Sequence, residues 1–206
     1  MSTLKLYKNL SKALVDGPEV EALKVSLSGK FPHELFMLGN LKELYLEGDI
    51  QDLPRLGTLW PRLKILSVKW PLFTGDLSGF FSLPSLENLK IIETPIKRLT
   101  LPLGHVTSQI KSLTFKDCEL SELPEEISML TQLQEMNLSG NELSALPYSF
   151  PTLFFLRRLN LDSNNFVRFP DLIKTMTKLS HLSIDSNKFS EEEKSRIQRQ
   201  FHLWPK

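Results

Sequence analysis

The sequence predicts an α/β fold, a right-handed solenoid curved into an arc, with short parallel strands on the concave side and irregular or short helical segments on the convex side. Two observations predict it. Apolar residues recur in the same pattern in eight segments that begin at positions 20, 41, 63, 86, 110, 133, 156 and 179, which are 21 to 24 residues apart. Four of the segments between the predicted strands also carry an apolar residue followed by proline.

The segment from Leu133 to Leu146 defines the pattern. Its apolar residues occupy the first, fourth, sixth, eleventh and fourteenth places, and Asn141 occupies the ninth. One such repeat cannot bury these side chains alone, so stability is expected to come from the interfaces between neighbouring repeats. The fourth place is predicted to form one buried column made of Leu23, Leu44, Leu66, Leu89, Leu113, Met136, Leu159 and Leu182.

The return segments place proline after the last apolar residue of the pattern, at Leu53-Pro54, Leu123-Pro124, Leu146-Pro147 and Phe169-Pro170. Proline cannot donate to a strand ladder, so strand pairing should not continue around this corner. The Leu-Pro-x-x-Ile/Leu-x-x-Leu spacing resembles the intracellular-type repeats of the leucine-rich repeat family, found in bacterial proteins and in plant and animal Ras-associated ones. The resemblance extends from about position 20 to 189 and implies a protein-binding role.

In that family the ninth place forms a ladder of side chains that satisfy backbone groups at the turn, and cysteine is an accepted substitute. The resemblance therefore implies this role for Asn141, Asn164, Asn187 and Cys118. Earlier repeats depart from the pattern, because Asp49, Pro71 and Thr94 stand near the column. We expect irregular turns and looser packing there.

Both ends of the chain are predicted to carry caps, which gives three parts: an N-terminal capping helix over 1–19, eight repeats over 20–189, and a C-terminal capping helix with a tail over 190–206. Apolar residues at helical spacing between positions 2 and 15 predict the first cap. Ser190 and Glu193 match a capping box, and Ile197 and Phe201 would close the last repeat. Leu203-Trp204 is expected to pack after them, and two caps favour one complete domain.

Composition excludes several classes of protein. Lys plus Arg number 25 against 24 Asp plus Glu, so no net field favours nucleic acid or an anionic membrane. The single cysteine permits no intrachain disulfide. No apolar run approaches the roughly 18 residues of a membrane span, and no signal peptide is recognisable. These features favour a cytoplasmic protein, with export by a route the sequence does not reveal as the alternative.

His181, Ser183 and Asp185 alternate on one predicted strand and are the nearest approach to a catalytic triad. Residues two apart on a strand lie roughly 6.6 Å from each other, whereas a nucleophile and its base need about 2.6–3.2 Å. A hydrolase using these residues is therefore a remote alternative. Cys118 fits the ladder, and neither a metal nor a cofactor site follows from the scattered histidines and single glycines.

A protein partner is expected on the concave face, where the residues between the apolar columns point outward. Repeats two to five combine aromatic and aliphatic side chains with long charged ones there, as binding surfaces often do. The alternative is that Trp70 folds into the turn beside Pro71 and that the lysines only solubilise. The predicted partner-binding residues are Tyr45, Glu47, Ile65, Lys69, Trp70, Lys90, Ile92 and Lys116.

Phe154 and Phe155 form a second candidate contact, since residues at the equivalent places in neighbouring repeats are polar. They either pack on Phe150 or Tyr148 of their own repeat or make a dimer or partner contact. The sequence thus predicts a non-catalytic protein–protein interaction module, either a monomer or a weak dimer. The alternative is a secreted or surface-delivered bacterial effector that engages host molecules.

Overall fold

The computed structural model describes residues 4–54, 56, 59–96, 99–102 and 109–201. Within them the chain forms one parallel sheet whose nine strands follow one another in sequence order. Each strand pairs with the next, as a solenoid requires. The predicted fold class is therefore confirmed. The strands are β1 Leu6–Tyr7, β2 Ala22–Lys30, β3 Glu43–Asp52, β4 Ile65–Lys69, β5 Asn88–Ile92, β6 Ser112–Lys116, β7 Glu135–Asn137, β8 Arg158–Asn160 and β9 His181–Ser183.

The predicted fourth-place column is continuous in the strand register. Leu23 lies opposite Leu44, and the pairing continues strand by strand to Leu159 opposite Leu182. Its members from Leu23 to Leu159 are buried, and Leu182 in the last strand is partly buried against the same core. Burying such a side chain contributes roughly 1.5–3 kcal/mol to the free energy of folding. This column is therefore a major source of the stability that comes from stacking the repeats.

The return segments cross the convex side as short 3-10 helices. Pro32, Pro124 and Pro170 each stand directly before one of them in extended backbone, as proline allows at a helix start. These helices span Gly17–Glu19, His33–Met37, Ser78–Ser82, Glu125–Met129, Phe150–Thr152 and Asp171–Thr175. Two α-helices, α1 Leu10–Asp16 and α2 Glu191–Phe201, lie at the ends. Among the described residues, no helix is both long and apolar enough to cross a membrane.

The ninth-place ladder has the geometry that the family resemblance implies. Asn141 Oδ1 accepts the backbone N–H groups of Cys118 and Leu120 at 3.1 Å, and its Nδ2 donates to the carbonyls of Phe115 and Leu138 at 2.7 and 2.9 Å. These backbone groups lie at the corner, where the sheet cannot pair them. One buried side chain therefore satisfies two donors and two acceptors from adjacent repeats.

Cys118 and Thr94 extend this ladder toward the N-terminus. The Cys118 thiol donates to the carbonyls of Ile91 and Lys116 at 3.4 and 3.2 Å. Burial raises the pKa of this thiol to about 12, which keeps it protonated as a donor. Thr94 Oγ1 accepts the backbone N–H of Trp70 at 2.9 Å and donates to the Ile92 carbonyl at 3.0 Å.

The first two repeats have longer strands than the later ones and an irregular register, in line with the irregular turns expected there. β2 and β3 have 9 and 10 residues and continue pairing past the corner, with a register shift between Gly29 and Lys30. The backbone here is satisfied by a longer ladder instead of an asparagine. Looser packing, which we also expected, would increase the exposure of the core side chains. The core residues from Val20 to Ile50 are as buried as those of later repeats.

The N-terminal segment differs from the helix predicted between positions 2 and 15. Leu6 and Tyr7 form β1 and pair with Ala22 and Leu23, and α1 begins only at Leu10. Asn9 caps α1 by accepting the Lys12 N–H at 2.9 Å. Tyr7 therefore extends the buried fourth-place column by one strand, which helical periodicity alone did not reveal.

The C-terminal helix begins where the capping box predicts it. Ser190 Oγ accepts the Glu193 N–H at 3.2 Å, but the Glu193 carboxylate reaches the backbone N–H of Phe169 at 2.8 Å. Arg196 donates to the same carboxylate, and these hydrogen bonds hold the pKa of Glu193 below its usual range. Ile197 is buried in the core, as predicted; the side chain of Phe201 and Leu203-Trp204 lie outside what the structure describes.

We expect Asn141→Ala to lower the free energy of unfolding by roughly 2–4 kcal/mol, because it leaves the N–H groups of Cys118 and Leu120 and the carbonyl of Phe115 without a partner. The Leu138 carbonyl keeps the hydrogen bond from the Asn164 amide at 2.9 Å. Equilibrium urea unfolding followed by circular dichroism measures the change. Asn165→Ala is the matched control, since this half-buried amide makes one long hydrogen bond, 3.3 Å, to the Glu142 carbonyl. Equal losses in the two variants would contradict the role of the ladder.

Candidate partner-binding surface

The concave face presents side chains in ordered columns, as the sequence predicts. Lys24 lies opposite Tyr45, Tyr45 opposite Ser67, and the same register continues through every later strand. At the fifth place of the repeats, three of the four residues on β2 to β5 are long, whereas those from β6 onward are small and polar. This fifth-place column consists of Lys24, Tyr45, Ser67, Lys90, Thr114, Asn137, Asn160 and Ser183.

Seven of the eight predicted partner-binding residues lie at least partly exposed on this face, and we call them the central patch. Lys90 and Lys116 are exposed, and the other five are partly exposed. The side chains thus form one mixed apolar and charged surface across β3 to β6. The central patch consists of Tyr45, Glu47, Ile65, Lys69, Lys90, Ile92 and Lys116.

Three of the four charged residues of the central patch, Glu47, Lys69 and Lys116, form ion pairs within the protein. Glu47 lies 2.7 Å from Lys24 Nζ, and Lys69 Nζ lies 2.7 Å from Glu93. Such half-exposed ion pairs contribute only about 0–1 kcal/mol each, so a partner can exchange them at low cost. The Tyr45 hydroxyl donates to Glu43 at 3.0 Å, and burial together with this carboxylate raises the pKa of Tyr45.

Trp70 was expected among the partner-binding residues but is not part of the surface; the alternative, that it folds into the turn beside Pro71, agrees with the structure. It is 0% exposed and packs against Phe73 and Phe80, with ring centroids 5.3 and 6.1 Å away. The eighth place usually turns outward through a left-handed backbone, which Trp70 does not adopt, so its ring points into the core beside the turn. The left-handed residues at this place are Glu93, Asp117, Gly140, Ser163 and Ser186.

Phe154 and Phe155 lie at the surface at 70% and 40% exposure. The Lys178 ammonium stands 4.3 Å from the centre of the Phe155 ring, a cation–π contact that partly shields it. Tyr148 in the same repeat is also exposed. Both rings therefore lie at the surface just before β8, which begins at Arg158.

A groove lies on the concave face over β6 to β9 and has a volume of about 600 Å³. The sequence predicts these residues on the concave face but assigns them no part in partner binding, because small polar side chains are weak contact residues. The signal was the series of short side chains at the fifth place beside longer ones at the third. The groove is lined by residues 112–114, 135–137, 158–160 and 180–183.

The remote catalytic alternative does not match the geometry at β9. The Ser183 hydroxyl donates to the Asp162 carboxylate at 2.7 Å, and the His181 ring nitrogen Nδ1 lies 2.9 Å from Ser180 Oγ. Among the described residues, Ser183 therefore has a carboxylate partner and no imidazole partner. Among the described residues, no group of three or more His, Cys, Asp or Glu side chains could hold a metal ion.

A family model described as a leucine-rich repeat region matches residues 97–199, half of the chain. The chain is 33% identical over 157 residues to the human volume-regulated anion channel subunit LRRC8B, covering 66% of this chain and 18% of the relative. The mouse protein is 34% identical over 126 residues, covering 55% of this chain and 15% of the relative. The chain thus spans less than a fifth of these relatives.

Solved structures show the same fold. The crystal structure of InlP from Listeria monocytogenes superposes with a TM-score of 0.66 at 21% identity, covering 82% of this chain and 49% of that one. The structure titled PEPR1-AtPEP1 gives a TM-score of 0.60 at 22% identity, covering 88% of this chain and 27% of that one. At these identities the likeness concerns the fold alone.

We expect Trp70→Phe to be tolerated better than Trp60→Phe by about 1–3 kcal/mol in the free energy of unfolding. Within the described part of the chain the buried Trp70 indole N–H has no acceptor, whereas Trp60 Nε1 donates to the Leu35 carbonyl at 3.1 Å. The first substitution removes an unpaired donor, and the second removes a buried hydrogen bond, although the Leu35 carbonyl keeps the backbone N–H of Leu38 at 3.2 Å. Urea unfolding of both variants measures the difference, and a larger loss in Trp70→Phe would contradict this account.

Proposed function

The chain belongs to the leucine-rich repeat family, and we propose that it is a non-catalytic protein–protein interaction module that binds its partner on the concave face. One observation carries the proposal. The core uses one side of every strand, so the opposite side presents an ordered surface of side chains that the fold itself does not need. Such a surface is suited to a large partner, since each strand adds one contact row.

The central patch is the part of this face that we propose to make the first contact. Ile65 and Ile92 supply apolar area, which is typical of the centre of an interface. Tyr45 supplies a flat ring with a polar end, and tyrosine is one of the residue types that contribute most binding energy. Lys69, Lys90 and Lys116 surround them with positive charge. A folded protein surface with an apolar centre and acidic groups around it complements this arrangement.

Nucleic acid and a membrane are not proposed as partners. The formal net charge is +1, so no overall field would concentrate a polyanion at the surface. The channel activity in the name of the curated relatives is not proposed either, because the chain spans only 15% and 18% of those proteins.

We propose a reducing compartment, the cytoplasm, as the location. The cysteine is buried within the ladder and forms no disulfide. Delivery to a cell surface or a host, as for a bacterial effector, is the competing proposal. Fractionation of the native cells distinguishes the two.

We expect a Tyr45→Ala, Ile65→Ala double variant to capture its main partner from lysate at least fivefold less than the parent, because it removes an aromatic anchor and its apolar neighbour. Quantitative mass spectrometry of the captured proteins measures the loss. Met37→Ser is the matched control, since Met37 is 76% exposed on the convex side. Unchanged capture by the double variant would rule out the central patch as the binding surface.

We also propose a weak dimer through Phe154 and Phe155. Light scattering at increasing concentration should give a mass above the 23.7 kDa of one chain, and Phe154→Ser, Phe155→Ser should return it to that value. Val167→Ser, an exposed apolar residue in the next repeat, serves as the control. A mass that does not differ between the parent and the double variant removes the dimer.

A further inference from the structure

Two asparagine side chains on the floor of the concave groove have a fixed orientation. Asn137 Oδ1 accepts the backbone N–H of Ser139 at 2.9 Å, and Asn160 Oδ1 accepts that of Asp162 at 2.8 Å. Because each amide oxygen is held by the backbone two residues further on, each NH2 group is directed away from that bond. Both residues therefore offer hydrogen-bond donors to the groove that they line.

These donors are not used inside the protein. Within the residues that the structure describes, neither NH2 group has a protein acceptor, although the oxygen of each amide is occupied. Asn137 and Asn160 are directly paired in the register of β7 and β8. Neighbouring strands are about 4.8 Å apart, so the two NH2 groups can donate to the two oxygens of one carboxylate.

Arg158 adds a positive charge beside them. It lies two residues before Asn160 on β8 and so faces the same way. Its Nε is 3.4 Å from the Glu135 carboxylate, and both side chains are more than half exposed, at 60% and 56%. A pair this long and exposed contributes at most about 1 kcal/mol, so the guanidinium is available to a competing carboxylate.

The acidic neighbours of the groove limit where such a carboxylate can bind. Asp162 already accepts the Ser183 hydroxyl at 2.7 Å and the Asp185 N–H at 2.7 Å, which offsets part of its charge. Glu135 has no partner among the described residues other than Arg158. It is therefore the group that competes directly with an incoming anion for Arg158.

We propose that the groove over β6 to β9 binds an acidic side chain of an extended peptide segment, with the carboxylate held by the Asn137 and Asn160 amides and the Arg158 guanidinium. The inference rests on the proposed function, since it names the chemistry of a partner at the concave face. It concerns a site separate from the central patch.

The test is selection of a displayed library of random twelve-residue peptides on the immobilised full chain. Enriched peptides should contain Asp or Glu at least threefold above the starting library. Replacing that residue by Asn or Gln in a synthetic peptide should weaken binding at least tenfold in fluorescence anisotropy. Selection of no binding peptide, or of peptides without acidic enrichment, overturns the proposal.

The variants Asn137→Asp and Asn160→Asp distinguish the role of each NH2 group in binding from the structural role of the amide oxygen. Each keeps the oxygen that accepts the backbone N–H but replaces the outward NH2 by a negatively charged oxygen. Each should weaken the selected peptide more than tenfold, with an unchanged urea midpoint. Asn88→Asp, which adds the same charge on the same face two strands away from Asn137, is the matched control and should weaken binding less than threefold.

Glu135→Gln should act in the opposite direction and tighten peptide binding severalfold, because it removes the carboxylate that competes with the peptide for Arg158. Arg158→Gln should weaken peptide binding at least tenfold. Unchanged binding in both variants would overturn the proposal. Failure here is distinguishable from failure of the proposed function. A lysate partner lost in the central-patch variant but retained in Arg158→Gln and Asn160→Asp leaves the interaction module standing and removes only the groove.

Discussion

The stacking of one repeat on the next is the constraint from which every other feature of this protein follows. A three-residue strand such as β7 has no independent stability, and its apolar side chains are buried only because β6 and β8 lie on either side. The column from Leu23 to Leu159 is the direct expression of this constraint. The same stacking frees the other side of each strand for binding.

Stacking is possible only if the corners are satisfied without a sheet. The protein uses two physical solutions along one chain. Late repeats place an amide such as Asn141 at the corner, and early repeats extend the ladder itself through β2 and β3. Cys118 and Thr94 lie between the early and the late repeats, and each side chain makes fewer hydrogen bonds than Asn141. The change of solution occurs near β6, where the fifth place of the repeats changes to small polar side chains.

The sequence predicts the strands and columns because burial is periodic and each apolar place has the same surroundings in every repeat. The sequence predicts Tyr7 on a helix, because a two-residue strand is too short to show a period of its own. The sequence leaves Trp70 open between the surface and the turn, because a position in the repeat does not reveal backbone dihedral angles. The absence of a left-handed turn at this residue directs the ring inward. The orientation of the Asn160 amide depends on a hydrogen bond to the backbone two residues on, which no spacing rule predicts. The groove was missed for the same reason.

The uneven strand length implies that the two halves of the arc differ in resistance to local opening. β2 and β3 share nine paired positions, whereas β7, β8 and β9 share three at each interface, and the last repeat is held by the Glu193 carboxylate at Phe169. Amide hydrogens should therefore exchange with deuterium in a gradient that rises toward the C-terminal end. Fraying from the C-terminal end would disrupt the groove while the central patch remains folded. The two surfaces would therefore lose their ability to bind at different denaturant concentrations.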